Sequence, residues 1–191
     1  RNIVLTTGGY GSSAELFGRF TGGRPLHTMT YETSLGTGIV AAEAVGAAVS
    51  GLDHFLPTFG GIDGKDTPGR TALAAGLNLT PQERKPWEIF VTSDGVRFIA
   101  EDHPSGDARE HALLDRPDLT FWVIYDERIR REAPPLHRTW GEAELAAAFE
   151  RNPSFVKADT VAALAGLCGL PEAALAETIA TYNTGVESGT D

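Results

Sequence analysis

The chain has 191 residues, 41% of them hydrophobic and 22% charged, enough to bury a real core in one domain or in one and a part. Its 16 Lys and Arg stand against 26 Asp and Glu, a formal charge of -10, which argues against a nucleic-acid or anionic-membrane surface as its main partner. No stretch approaches the roughly 20 apolar residues of a membrane span, and the opening RNIVLTTGG lacks the layout of a secretory leader.

In chain order, residues 3–5 read as an apolar strand running into Thr6-Thr7-Gly8-Gly9. The missing initiator Met and this start inside a strand are expected of a piece excised from a longer protein. The Gly- and Ser-rich stretch 8–13 predicts a helix opening at Ala14, with Glu15 near its positive end. Over 37–50, Ile39, Ala42, Val45 and Val49 recur at helical spacing, while Gly38, Ala41, Ala44, Gly46 and Ala47 keep the predicted helix slim. Residues 55–70 read as a glycine-rich boundary loop that also lines a site.

Residues 87–91 and 96–100 predict an antiparallel hairpin, because Asp94-Gly95 between them is a strong turn signal. Residues 119–125, rich in aromatic and β-branched side chains, predict another strand. Helices follow: Thr139 and Glu142 read as a capping box, Asp159 as the cap of a helix over 160–168 ended by Gly169, and Pro171 as the start of a last helix through Tyr182. The chain is then expected to leave the helix at Asn183. Strands first and helices later predict an α+β fold. Cys168 shares an apolar stripe with Val161, Leu164 and Ala165, so it reads as a structural thiol. As the only cysteine it makes no intrachain disulfide and no cysteine-rich metal site, and a reducing, cytoplasmic setting fits.

The order of several short motifs resembles the flavoprotein family of fumarate reductases, succinate dehydrogenases and 3-ketosteroid dehydrogenases. The pieces are Thr7-Gly8-Gly9-Tyr10-Gly11 after a strand, then Gly36-Thr37-Gly38-Ile39 leading a Gly/Ala helix. Next come Gly95-Val96-Arg97-Phe98-Ile99-Ala100-Glu101, Trp122-Val123-Ile124-Tyr125-Asp126, and Ala158-Asp159-Thr160 with the closing helix pair. The resemblance implies a Rossmann-type FAD domain carrying an inserted α+β cap, with the substrate held between them. Residues 1–55 would then be a partial FAD-domain segment, 56–185 the cap or substrate domain, and 186–191 the start of the return to the rest of the FAD domain. No Gly-x-Gly-x-x-Gly follows a strand here, so the chain alone is expected to bind FAD poorly or not at all.

The resemblance further implies cofactor contacts from Thr7, Gly8, Gly9, Gly36, Thr37 and Gly38. Thr7-Gly8-Gly9 read equally as a strand-ending turn, and Thr37 stands where the family has an acidic residue. Substrate contacts are expected from Leu56, Thr58 and Phe59. Counted without gaps, Thr58 takes the place of the His of the fumarate-type site, and Phe55, Leu56 and Phe59 favour apolar surface.

No catalytic residue is identified. The candidates are His103 and Asp107 as polar groups of a substrate loop, Ser105 nearest to the position of the reductases' acid Arg, and Arg109 if that loop shifts. His103 reads also as a solvated loop residue, and Arg97 with Glu101 as a brace of the hairpin. His54, His111 and His137 lack metal-ligand spacing, and Arg128, Arg130, Arg131 and Arg138 read as a solvated basic face.

The function expected of the intact parent is FAD-dependent oxidation or reduction at a carbon-carbon bond of a small organic, apolar or steroid-like substrate, the piece itself being inactive. The alternative is a free-standing, non-catalytic binding module with the cap fold.

Overall fold

The computed structural model describes residues 3–52, 54–55, 57–64, 67–71, 76–116 and 118–191. They form α1 (Ala14–Thr21), α2 (Thr37–Ala44), β1 (Asp63–Gly64), β2 (Thr67–Thr71), β3 (Ile89–Val91), α3 (Gly106–Leu114), β4 (Trp122–Ile124), α4 (Glu127–Glu132), α5 (Glu142–Arg151), α6 (Val161–Cys168) and α7 (Glu172–Ser188). Helices and strands are mixed, with two antiparallel two-stranded sheets, β1–β2 and β3–β4.

The apolar run at 3–5 does not become a strand. Among the described residues none supplies the backbone partners that a strand needs, and Ile3 and Val4 are 88% and 83% exposed. The chain instead passes into α1, which opens where the Ser13 hydroxyl accepts the Leu16 N–H at 3.2 Å and closes at Gly22 in the left-handed region. The helix predicted over 37–50 stops at Ala44. Gly46 takes φ 92, and Val45, expected on the buried stripe, is 86% exposed.

The Asp94-Gly95 turn forms as expected. The Gly95 N–H donates to the Thr92 carbonyl at 2.9 Å and the Thr92 N–H to the Val96 carbonyl at 3.0 Å. The returning strand, however, shrinks to a single bridge between Val91 and Arg97, while the other edge of β3 pairs with β4, placing Phe90 opposite Val123. The cause is local: the Glu101 carboxylate accepts the Phe90 N–H at 2.7 Å, where a third strand's carbonyl would otherwise sit. Arg97 grips the same carboxylate and also pairs with Asp191, so Arg97 and Glu101 do brace the hairpin.

Both faces of β3 are covered, which makes it buried along its whole length. Ile89 and Val91 pack with Ala165, Leu170 and Leu175 of the α6–α7 region, and the half-buried Cys168 joins that cluster. Burial raises the thiol's pKa, in keeping with a structural role. On the other face Phe90 meets Phe59 and Phe121 at ring-centroid distances of 5.9 and 5.1 Å. Just before β3, Arg84 and Glu88 form a buried two-pronged ion pair at 2.7 and 2.9 Å, with the Arg84 Nε donating to the Pro134 carbonyl.

Three helix ends differ from expectation. Helix α5 is capped through Gly141, whose N–H donates to Glu144, and not by Thr139 with Glu142. The Thr160 hydroxyl, one residue past Asp159, caps α6 by accepting the Ala163 N–H. Helix α7 does not end near Asn183 but continues to Ser188, where Gly189 closes it in the left-handed region. The expected basic face is an exposed lattice of ion pairs: Arg128 with Glu132, Arg130 with Glu127 and Glu142, Arg131 with Glu127, and Arg138 with Glu83. Among the described residues no helix is long and apolar enough to cross a membrane.

Candidate functional site

The glycines singled out in the sequence meet at one junction. Gly36, left-handed at φ 71, begins α2, and its N–H donates to the Gly9 carbonyl at 3.0 Å. A Cβ on Gly36 would collide with Leu16 and Tyr10, and one on Gly38 with the Thr7 hydroxyl, so the helix start presses against residues 7–10 only because both are glycine. Gly8 and Gly9 are exposed, with open space where a Cβ would stand. No side chain caps α2, which leaves its first-turn amides beside that bare backbone. Thr7, Gly8, Gly9, Gly36, Thr37 and Gly38 are thus brought together. Such a donor set can receive a phosphate, a carbonyl edge or another electron-rich group.

A cleft of about 1730 Å³ adjoins this junction at Gly9 and is larger than the roughly 300–1,000 Å³ of a typical small-ligand pocket. Gly9, Gly11, Thr28 and Thr30 line its glycine end, where the Thr28 and Thr30 hydroxyls lie 3.0 Å apart. Its other walls are largely apolar and include Phe55, Phe121, Trp122 and Ile124. Thr58 lines the cleft. Phe59 does not; it is held between Phe90 and Phe121 behind the wall. Leu56 lies outside the described residues.

None of the four catalytic candidates is among the described residues that line the cleft. The Ser105 hydroxyl caps α3 by accepting the Ala108 N–H at 3.2 Å, and the His103 Nδ1 accepts the Ser105 N–H at the same distance. Asp107 is exposed in the first turn of α3. Arg109 is buried, donates to the Leu79 carbonyl at 2.6 Å and lies over the Phe59 ring, and burial lowers its pKa.

The cleft has polar groups that the sequence reading passed over. Tyr125, at the end of β4, lines it, and burial, partly opposed by Arg130, raises the pKa of its hydroxyl. Arg130 and Lys157 are also on the wall. The strand signal at 119–125 marked the segment but not which side chain would turn inward. Among the described residues no group of three or more His, Cys, Asp or Glu side chains is placed to hold a metal ion.

The family described as "FAD binding domain" matches the chain over residues 1–191. The chain belongs to this FAD-binding family. FAD is therefore the cofactor of the intact protein. The chain is 29% identical over 195 residues to the "Probable fumarate reductase Ifc3" of Shewanella frigidimarina, covering 100% of the chain and 29% of that protein. It is 26% identical over 202 residues to the 3-oxosteroid 1-dehydrogenase of Mycobacterium tuberculosis, covering 100% and 34%. An open flavocytochrome c3 fumarate reductase superposes with a TM-score of 0.59 at 27% identity, covering 98% of the chain and 30% of that structure. The chain thus spans about a third or less of the relatives it matches.

Proposed function

We propose that this chain is part of an FAD-dependent oxidoreductase acting on a carbon-carbon bond of an apolar, steroid-like ketone. The observation that carries the reading is the apolar cleft opening beside the bare glycine junction. Residues 1–55 form an FAD-domain segment, 56–185 the cap that holds substrate, and 186–191 the turn back toward the remaining FAD domain. The exposed Ile3, Val4, Leu5 and Val45 are the apolar surface which that remainder covers.

Bound FAD would supply the hydride chemistry. Thr7, Gly8, Gly9 and Gly36, Thr37, Gly38 would form one wall of its site, since exposed glycine backbone and uncapped amides suit close approach of a flavin nucleotide. Thr58 borders the substrate space with Phe59 packed behind it, and Leu56 is proposed as a further substrate contact. Tyr125 and Tyr182, both on the cleft wall, keep their protons to alkaline pH because burial raises the pKa of both hydroxyls, and Tyr125 is the one we assign to hold or donate a proton to a carbonyl. The 191 residues alone would bind FAD weakly and turn nothing over.

The test is spectroscopic. The intact protein, chemically reduced without oxygen, is mixed with a steroid enone or with fumarate. Return of the oxidised flavin band with the enone and not with fumarate is expected. Return with fumarate alone, or no flavin band in the purified protein, would overturn the reading.

A further inference from the structure

Leu119 is the one residue other than glycine, among those described, whose backbone is left-handed, at φ 54. A Cβ in that region crowds the neighbouring carbonyl oxygen, and leucine lacks the local hydrogen bond by which Asn or Asp eases the strain. The turn between α3 and β4 holds it there. The Leu119 N–H donates to the Arg116 carbonyl at 3.3 Å, the Thr120 N–H donates to the Asp118 carboxylate at 3.2 Å, and Trp122 is already paired with Val91.

A strained backbone persists where something else offsets it. Burial in the core does not: Leu119 is half-buried and stands neither in the cluster of Ile89, Val91, Leu170 and Leu175 nor among the side chains packed against it. It lines the cleft instead. The wall beside it is stiff, because Phe121, also on the cleft, is wedged among Phe59, Phe90 and Phe98 at centroid distances of 5.0, 5.1 and 5.8 Å. Glycine or asparagine would make the same turn with less strain, but neither offers a branched hydrocarbon to the cleft.

We infer that Leu119 is a specificity-determining residue, whose left-handed backbone holds its isobutyl group against the apolar skeleton of the ligand beside Phe121. The inference rests on the cleft being the substrate site of the proposed oxidoreductase, and it adds to that reading the side chain that selects among apolar skeletons.

Thermal melts of the unliganded intact flavoprotein, paired with isothermal titration of androstenedione as the steroid enone, test it. Leu119→Asn is expected to melt at or above the parent, since the turn is eased, and yet to bind the steroid about tenfold more weakly, the scale of one lost apolar side-chain contact. Leu119→Met, which keeps an apolar side chain of similar volume, should melt with the parent and retain most of the affinity. Three results would each overturn the assignment: an Asn variant that binds as tightly as the parent, one whose weaker binding comes with a lower melting temperature, or a parent that does not bind the steroid. Titration reads binding alone, so a flavin indifferent to the enone sinks the oxidoreductase reading and leaves this result standing. Unchanged binding by Leu119→Asn does the reverse.

Discussion

The Arg84–Glu88 pair shows how a single side chain can dominate local stability. Both groups are out of water, and Glu88 also accepts the Trp87 N–H at 3.0 Å. Deleting one partner strands the other charge, so Arg84→Ala should cost about 3–5 kcal/mol, whereas the apolar pair Arg84→Met with Glu88→Leu should cost far less. Denaturant unfolding of the two variants checks this, and equal losses would show that packing, not charge, holds the site. Little of this was legible beforehand: nothing in the sequence separates an Arg and a Glu four residues apart inside the protein from such a pair on its surface, and only the covering Pro134 carbonyl and the buried strand beyond make this one interior. The same holds for Tyr125 and Lys157. Their types were visible, but their facing the cleft depends on helices and strands far along the chain.

Helices and strands were legible where the signal was local. The Asp94-Gly95 turn needs only its own residues, and Gly95 adds a close approach: its φ is 74, and a Cβ there would stand 3.1 Å from the Leu175 nitrogen. Gly95→Ala should cost roughly 1–2 kcal/mol from backbone strain alone, while Thr160→Ala, which removes the α6 cap, should cost about 1 kcal/mol. Thermal melts will rank them; a Gly95→Ala protein as stable as the parent would mean the turn relaxes freely. What was not legible is pairing. Alternation along 96–100 looks like a strand, yet a carboxylate three residues past Phe98 takes the Phe90 amide and stops pairing on that edge, leaving β3 paired with Trp122–Ile124 on its other edge. At 3–5 and 45–49 the apolar spacing was real, but the described residues supply no surface for it to meet.

Across the molecule, order is uneven. The β3–β4, α6 and α7 assembly is buried and cross-braced, while residues 3–9 are exposed and outside any ladder. Hydrogen exchange should therefore find amides of residues 3–9 exchanging at once and those of Ile89–Val91 most protected. Uniform protection would contradict that picture. The glycine junction takes Thr7, Gly8 and Gly9 from that exposed stretch, which suits a surface that gains its last contacts from elsewhere. One further consequence comes from Glu101. A two-stranded sheet ordinarily invites a third strand from any neighbouring chain. Here the carboxylate on the Phe90 amide, with the Val91–Arg97 bridge beside it, closes that margin of β3. The central ribbon therefore cannot grow outward along that edge, and a neighbouring chain finds no free row of amides there.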